Sequence, residues 1–160
     1  MRIGIMGDTH GDIHSIKQAV AAAGPVELWL HTGDFCRDAR TLAAITGVPV
    51  TSVAGNCDGR ADANPDEFIE AAGYRIWLTH GHRHGVKQNL NDLCNWARQY
   101  EADIVVYGHT HQADVIQEPE LLLFNPGSAA MPRRGKNRTC GVLELEPERN
   151  GMLSHLIRVC

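Results

Sequence analysis

Short runs of apolar residues recur along the first two thirds of the chain, and each run ends in a polar loop that contains glycine. The runs occupy residues 3–6, 26–30, 48–53, 76–78 and 104–107. Runs of this length between turn-forming residues are typical of buried β-strands. The pattern therefore predicts five strands in this part of the chain.

Segments with helical spacing separate several of these strands. Residues 13–23 and 38–45 repeat apolar side chains every three or four positions, and the first segment is followed by Gly24-Pro25, a common helix end. Residues 88–101 form a third amphipathic segment, which leads into the strand at 104–107. Helices that alternate with strands predict parallel β-α-β units.

The pattern changes after His111, where turns alone separate the apolar runs. These runs occupy residues 113–117, 121–124, 141–146 and 152–159. Strands joined by short turns predict an antiparallel arrangement. Because no linker interrupts the pattern, we expect residues 1–160 to form one α/β domain.

Composition narrows the class of protein. The chain has 160 residues, 43% of them hydrophobic, and a formal net charge of −4. These values are ordinary for a folded globular domain, and the negative charge does not indicate a nucleic-acid-binding protein. Bound divalent cations would offset this charge where an anionic substrate must bind.

The five cysteines include no C-x-x-C pair, so neither a disulfide framework nor a zinc ribbon is indicated. Reduced thiols fit a cytosol better. The first residues contain no apolar stretch of the length of a signal peptide, and no later run approaches the length of a membrane span. We expect a cytoplasmic protein without a membrane partner.

Polar side chains follow the predicted strands at the positions where ligands gather in α/β sheets, beyond the carboxyl ends. The side chains concerned are Asp8, His10, Asp34, Asn56, His80, His82, His109 and His111. Asp8 and His10 lie two positions apart, so an extended backbone would direct both side chains to one side, and His109 and His111 repeat this spacing.

Imidazole nitrogens combined with carboxylate and amide oxygens suit manganese, iron, zinc, nickel or cobalt better than calcium or magnesium. A single aspartate or histidine at a strand end is more often a helix cap or turn residue. Seven such residues at successive strand ends, the set above without His82, favour a transition-metal site.

These residues resemble the calcineurin-like metallophosphoesterase superfamily, whose pattern D-x-H, G-D, G-N, H and G-H-x-H is met in order between Asp8 and His111. The short chain, the sequence Gly-Asn-Cys-Asp at 55–58 and Asn-Pro-Gly-Ser at 125–128 resemble the small bacterial and archaeal phosphodiesterase branch. The resemblance implies a four-layer α/β/β/α sandwich of two mixed sheets.

The resemblance also implies the roles of individual residues. Two divalent ions, manganese before nickel, iron, zinc or cobalt, would be held by two sets of ligands. The first set is Asp8, His10 and His111, the second is Asn56, His80 and His109, and Asp34 bridges the two ions. A hydroxide that bridges the metals would attack the phosphate ester, so Asp8, Asp34, Asn56 and His80 are the expected catalytic residues.

The sequence departs from the larger relatives at Cys57, where those proteins have a histidine that helps to protonate the leaving group. We therefore expect a preference for good leaving groups such as aryl phosphates, unless His82 or Asp58 donates the proton. Cys57 itself is interpreted as a loop residue without catalytic chemistry. Asn56, His82 and Arg133 are candidate substrate contacts.

A basic segment at Arg133, Arg134, Lys136 and Arg138 either steers anionic substrates or is simply solvated. We predict phosphodiester hydrolysis of a small substrate, with phosphomonoester hydrolysis as the alternative at the same site. An alternative of another class is a protein-binding scaffold like the retromer subunit family, and homo-oligomerisation stays open.

Overall fold

The structure is a computed structural model that describes residues 1–59 and 63–160. Its ten described strands are β1 (Arg2–Met6), β2 (Leu28–His31), β3 (Val50–Ser52), β4 (Asp66–Ala71), β5 (Tyr74–Thr79), β6 (Ile104–Val106), β7 (Ala113–Gln117), β8 (Leu122–Pro126), β9 (Thr139–Leu145) and β10 (Met152–Arg158). The helices are α1 (Ile13–Ala23), α2 (Asp38–Thr46) and α3 (Asn91–Gln99). Short 3₁₀ turns lie at His82–His84 and Pro147–Arg149.

The strands form two five-stranded mixed sheets. The first sheet has the order β10-β9-β1-β2-β3. Strands β1, β2 and β3 are parallel to one another, and β9 is antiparallel to both of its neighbours, β1 and β10. The second has the order β4-β5-β6-β8-β7, in which β5, β6 and β8 are parallel and both edge strands antiparallel. The fold class predicted from the sequence is confirmed.

Apolar side chains of the two sheets meet in a shared core. Ile5 and Leu30 of the first sheet lie in one buried cluster with Leu78, Val106 and Phe124 of the second. Such burial contributes about 1.5–3 kcal/mol for each large side chain. The core fixes the sheets face to face, so the loops at their carboxyl edges lie side by side.

The helices cover the outer faces of the two sheets. Ile16 of α1 and Leu42 of α2 pack with Trp29 on the first sheet. Leu93 and Ala97 of α3 pack on the outer face of the second. The layers therefore follow the order α/β/β/α. Within the described residues, no helix combines the length and the apolar character that a membrane crossing requires.

Three features differ from the sequence prediction. Strand β4 was not predicted, because its sequence is rich in acidic residues and it forms an edge of the sheet. Strand β8 pairs antiparallel with β7 as expected, but it also runs parallel to β6. Helix α3 covers Asn91–Gln99 and is shorter than residues 88–101, because Leu90 already lies outside helical geometry at φ −103° and ψ 7°.

Candidate metal centre

The seven predicted ligands converge at the carboxyl edges of both sheets. Side-chain donor atoms of Asp8, His10, Asp34 and His111 all lie within 4.8 Å of one another, and those of Asp34, His80 and His109 form a second such group. The loops after β1 and β2 supply one side of this centre, and the loops after β5 and β6 supply the other. Asp34 is common to both groups.

The first group is organised around carboxylate oxygens. His111 Nε2 lies 3.3 Å from Asp8 Oδ1, and His10 Nε2 lies 3.8 Å from Asp34 Oδ2. The two Nε2 atoms of His10 and His111 are 3.5 Å apart. Two aspartate and two imidazole donors thus surround one small volume.

The second group contains His80, which is fully buried. Its Nε2 lies 3.4 Å from Asp34 Oδ1, 3.0 Å from Asn56 Oδ1 and 3.2 Å from His109 Nδ1. Asn56, an amide that the sequence pattern included among the ligands, therefore points into the same space as the histidines.

Backbone carbonyls orient two of these imidazoles. His80 Nδ1 lies 2.7 Å from the carbonyl of Thr32, and His111 Nδ1 lies 2.5 Å from the carbonyl of Met131. A carbonyl oxygen only accepts, so each Nδ1 donates its proton and each Nε2 keeps its lone pair toward the centre. This is the arrangement that second-shell carbonyls impose on metal-binding histidines.

One carboxylate oxygen of Asp8 accepts a hydrogen bond, and the other does not. Oδ2 accepts a hydrogen bond of 3.1 Å from the backbone N–H of His109. Oδ1 is buried and has no hydrogen-bond partner among the residues that the structure describes. A buried carboxylate oxygen without a partner is costly, and a bound cation would satisfy it. The donor set therefore fits divalent metal ions.

The backbone that presents the ligands differs from the expected extended form. Asp8, His10, Asp34, His109 and His111 have φ values between 48° and 69°, in the left-handed region. The prediction that an extended backbone aligns Asp8 with His10, and His109 with His111, is therefore wrong. The side chains of Asp8 and His10 nevertheless reach one donor group, whereas His109 and His111 belong to different groups.

The protonation states of His109 and Asp34 suit metal binding. Burial, then His80 and Lys87, lower the pKa of His109 to about 4, which leaves its ring neutral at physiological pH. Burial acts to raise the pKa of Asp34, but the Cys57 N–H and His80 outweigh it, and the pKa lies below its ordinary value. The adjacent Asp8 carboxylate raises the pKa of His111, so a metal ion at this site competes with a proton on that ring.

The Asn-Pro-Gly-Ser segment at 125–128 supports two of the ligand loops. Asn125 Nδ2 donates to the carbonyl of Gly108 at 3.2 Å and to Thr110 Oγ1 at 3.0 Å. Ser128 Oγ donates to the carbonyl of Asp8 at 2.8 Å. Both side chains are fully buried. This segment therefore fixes the positions of the metal loops.

A second buried network joins the loops after β1 and β2. Thr9 Oγ1 donates to Asp38 Oδ2 at 2.6 Å and accepts from His31 Nε2 at 2.9 Å. The N–H of Gly33 donates to His31 Nδ1 at 3.2 Å, and the N–H of Gly11 donates to Asp38. Sequence reasoning gave no role to Thr9, His31 or Asp38. The sequence feature that could have identified Thr9 and His31 is their position close to Asp8, His10 and the Gly33-Asp34 pair.

His82 and Cys57 border the centre. The His82 ring lies 5.3 Å from that of His80, and its Nδ1 is buried without a hydrogen-bond partner in the described part of the chain. Burial, followed by His80, lowers the pKa of His82. Cys57 is exposed, and its backbone N–H donates to Asp34 Oδ1 at 2.9 Å. The alternative donor Asp58 is already occupied, because its oxygens accept the N–H groups of Cys36 and Gly55.

The basic segment is divided between two locations. Arg133 Nε donates to the carbonyl of Thr110, and the Arg133 N–H donates to the carbonyl of His111, so this residue adjoins the centre. Arg138 instead donates to Ser15 Oγ and Gln18 Oε1 of α1. Its guanidinium is thus bound to a helix.

The fold and the convergent donor groups define a candidate metalloprotein of the α/β/β/α sandwich class. Residues 1–148 match the family model of the calcineurin-like phosphoesterase superfamily domain. The chain therefore belongs to that superfamily, as the sequence pattern predicted.

Two curated relatives extend over most of the chain. A probable metallophosphoesterase of Bacillus subtilis, YsnB, is 33% identical over 148 residues, which cover 91% of this chain and 85% of YsnB. Phosphodiesterase MJ0936 of Methanocaldococcus jannaschii is 30% identical over 167 aligned positions, which cover 91% of this chain and 94% of that protein.

Solved structures share the architecture. A conserved uncharacterized protein of Streptococcus pneumoniae superimposes with a TM-score of 0.77 at 26% identity, covering 97% of each chain. Vps29 of Entamoeba histolytica, solved with zinc, superimposes with a TM-score of 0.76 at 20% identity and covers both chains fully. The latter likeness concerns the fold alone, because one fold supports several functions.

Proposed function

We propose that the protein is a phosphodiesterase that depends on two divalent transition-metal ions. The observation that supports this proposal is the position of Asp34. It is the only aspartate common to both groups of donor atoms in the described residues, with Oδ2 toward His10 and Oδ1 toward His80. A carboxylate between two ion sites is the arrangement expected for a pair of metals roughly 3.5–4 Å apart.

The proposed ligands are the seven residues named from the sequence. Asp8, His10 and His111 would hold one ion, Asn56, His80 and His109 would hold the other, and Asp34 would serve both. Manganese is the preferred ion, with nickel, iron, zinc and cobalt as alternatives. Such ions, when bound, polarise phosphoryl oxygens and lower the pKa of water.

The side chains around these ions would orient the substrate. Asp8, Asp34, Asn56 and His80 are the proposed catalytic residues, because their donor atoms face the space in which the phosphate must lie. The depressed pKa of His82 disfavours it as a proton donor and suits a neutral hydrogen-bonding contact with substrate. Asn56 and Arg133 are further proposed contacts.

Phosphomonoester hydrolysis is the alternative at the same centre, because only the space for a second substituent separates the two reactions. A protein-binding scaffold without catalysis is the alternative of another class. The complete donor set favours an enzyme over a scaffold, because its imidazoles are oriented and Asp8 Oδ1 has no hydrogen-bond partner among the residues described. We keep one domain, a cytoplasmic location and possible self-association as proposals.

The test compares bis-p-nitrophenyl phosphate with p-nitrophenyl phosphate, using metal-stripped protein with and without manganese. We expect manganese-dependent release of nitrophenol, faster from the diester. Asp34→Asn should lower kcat/KM by roughly 10²-fold or more, since it weakens both ion sites and the charge that positions them. Calorimetric titration with manganese should give two ions per chain, and fewer in the variant.

Asp92→Asn is the matched control. It makes the same chemical change at α3, where Asp92 contacts His84, and it should retain two ions and full activity. Bound manganese without turnover of either ester would favour the scaffold. Faster monoester turnover would favour the phosphomonoesterase.

A further inference from the structure

A cavity of about 270 Å³ lies beside the candidate metal centre, at the carboxyl edge of the second sheet. Val86, Leu90 and Tyr107 contribute apolar surface, and Lys87, Thr110 and Arg133 contribute polar groups. The volume is near the lower end of the range for ligand sites, about 300–1,000 Å³. This volume suits one of the two substituents of a phosphodiester, here called its arms: one arm leaves on hydrolysis and the other is retained.

The cavity adjoins the loop that holds His109 and His111, because Thr110 of this loop lines it. Thr110 stands between His109 and His111, and Arg133 is bonded to this loop through its Nε and its backbone N–H. Asn125 fixes the Thr110 hydroxyl from the other side. A molecule bound at the ions can therefore extend into this cavity.

The charges in the cavity select the chemistry of that arm. Lys87 and Arg133 contribute two positive charges against one negative charge from Asp114. The Nε–H of Arg133 donates to the carbonyl of Thr110. This hydrogen bond orients the guanidinium and leaves its terminal N–H groups as donors. Phosphate and carboxylate groups are the usual partners of such donors.

We infer that this cavity binds the retained arm of the substrate and that this arm has a second anionic group, a phosphate or a carboxylate. The inference rests on the proposed function and adds a substrate class to it. The preferred substrate is then a phosphodiester with an acidic group on the arm that does not leave, while the apolar surface packs against the chain between the two groups.

The test uses p-nitrophenyl phosphodiesters that share a leaving group and differ in the retained arm. The arms are butyl, 3-carboxypropyl, 2-phosphoethyl and choline. We expect kcat/KM to be roughly tenfold higher for one or both anionic arms than for butyl, mainly through KM, and lowest for choline. The two anionic arms show which acid the cavity prefers.

The variant Lys87→Gln with Arg133→Gln should abolish this preference. The control, Arg134→Gln with Lys136→Gln, removes the same charge from residues that do not line the cavity and should keep the preference. Equal values of kcat/KM for the butyl and anionic arms would overturn the inference. So would an equal loss of preference in the two double variants, which would indicate general electrostatic steering.

A binding measurement decides the inference even if no ester is hydrolysed. Manganese-loaded protein is titrated with propane-1,3-bisphosphonate and with propylphosphonate. We expect the bisphosphonate to bind roughly tenfold more tightly, and the Lys87 and Arg133 double variant to lose that difference. Equal binding of the two ligands would refute the cavity's role, whereas absent turnover with selective binding would refute the proposed reaction alone.

Discussion

Left-handed backbone at the metal loops is the clearest residue-scale feature of the molecule. Ten non-glycine residues in the described part of the chain have positive φ, and five of them are proposed metal ligands. Such conformations cost about 1–3 kcal/mol each and persist only when neighbouring contacts enforce them. The close approach of Gly33 to Gly55 is one such contact, because a Cβ at Gly33 would lie 2.8 Å from the Gly55 nitrogen. Strain of this kind points to a functional site.

Cys57 is the residue at which a proton donor is expected to be missing. We predict that Cys57→His raises kcat/KM on alkyl phosphodiesters relative to aryl ones by about 10²-fold, because only poor leaving groups need protonation. The backbone N–H that contacts Asp34 is retained in this variant. The measurement is the ratio of rates on ethyl and p-nitrophenyl esters.

Cys57→Asn is the control for this substitution, since it adds a polar side chain without an acid that titrates near neutrality. It should leave the alkyl to aryl ratio near that of the parent. Equal rates on alkyl and aryl esters in the parent protein would contradict the premise that a general acid is missing.

At the scale of elements, the sequence predicted most of the strands and helices and the strand ends at which the candidate ligands lie. Strand ends were recognisable because apolar runs stop at Asp, Asn and His, and β1, β2 and β3 are parallel as expected. Strand β4 could not be recognised, because an edge strand buries little and needs few apolar residues. The pairing of β6 with β8 could not be predicted either, since it depends on contacts distant in the chain.

Neither the cavity nor the buried network around Thr9 follows from the sequence. Both depend on side chains that meet only when the loops of different strands are brought together. The network ties β1, β2 and the first residue of α2 to each other, so the loops that hold Asp8, His10 and Asp34 are fixed as a unit.

This linkage predicts the effect of Thr9→Val, which keeps the shape of the side chain and removes the hydroxyl. His31 and Asp38 would then lose a buried partner, at a cost of about 1–3 kcal/mol in the free energy of unfolding. Manganese affinity should fall roughly tenfold, because second-shell partners hold the ligands in position. Thr9→Ser, which restores the hydroxyl, should recover most of the affinity. Calorimetry and denaturant unfolding measure the two effects separately, and unchanged affinity in Thr9→Val would refute the linkage.

At the scale of the whole molecule, the centre is assembled from both sheets. Asp8, His10, Asp34 and Asn56 follow strands of the first sheet, whereas His80, His109 and His111 follow strands of the second. Metal ions would therefore join the two sheets at their edge, in addition to the shared core. Any separation of the sheets would break the ion sites, so metal binding and unfolding should be thermodynamically linked.

The sign of the pH dependence of this linkage follows from His111. In the metal-free protein, Asp8 raises the pKa of His111. The stability from this pair is fully present below the unfolded pKa of histidine, about 6.5, and is lost as the pH rises through the raised value. Metal binding instead needs the neutral ring, so it competes with the proton. Added metal should therefore stabilise the protein more at pH 8 than at pH 6.

We predict that manganese at 100 times its dissociation constant, measured at pH 8, adds about 2.7 kcal/mol to the free energy of unfolding for each ion site that it fills. For a chain of this length the melting temperature should rise by about 5–10 °C for each site, and by less at pH 6 with the same manganese concentration. Scanning calorimetry should show one cooperative transition, as one domain requires.

His155→Asn, on the exposed edge strand β10, should keep the pH dependence, whereas His111→Asn should lose most of it. Two separate transitions would contradict the single domain, and an equal rise in melting temperature at both pH values would contradict competition between the metal and a proton on His111.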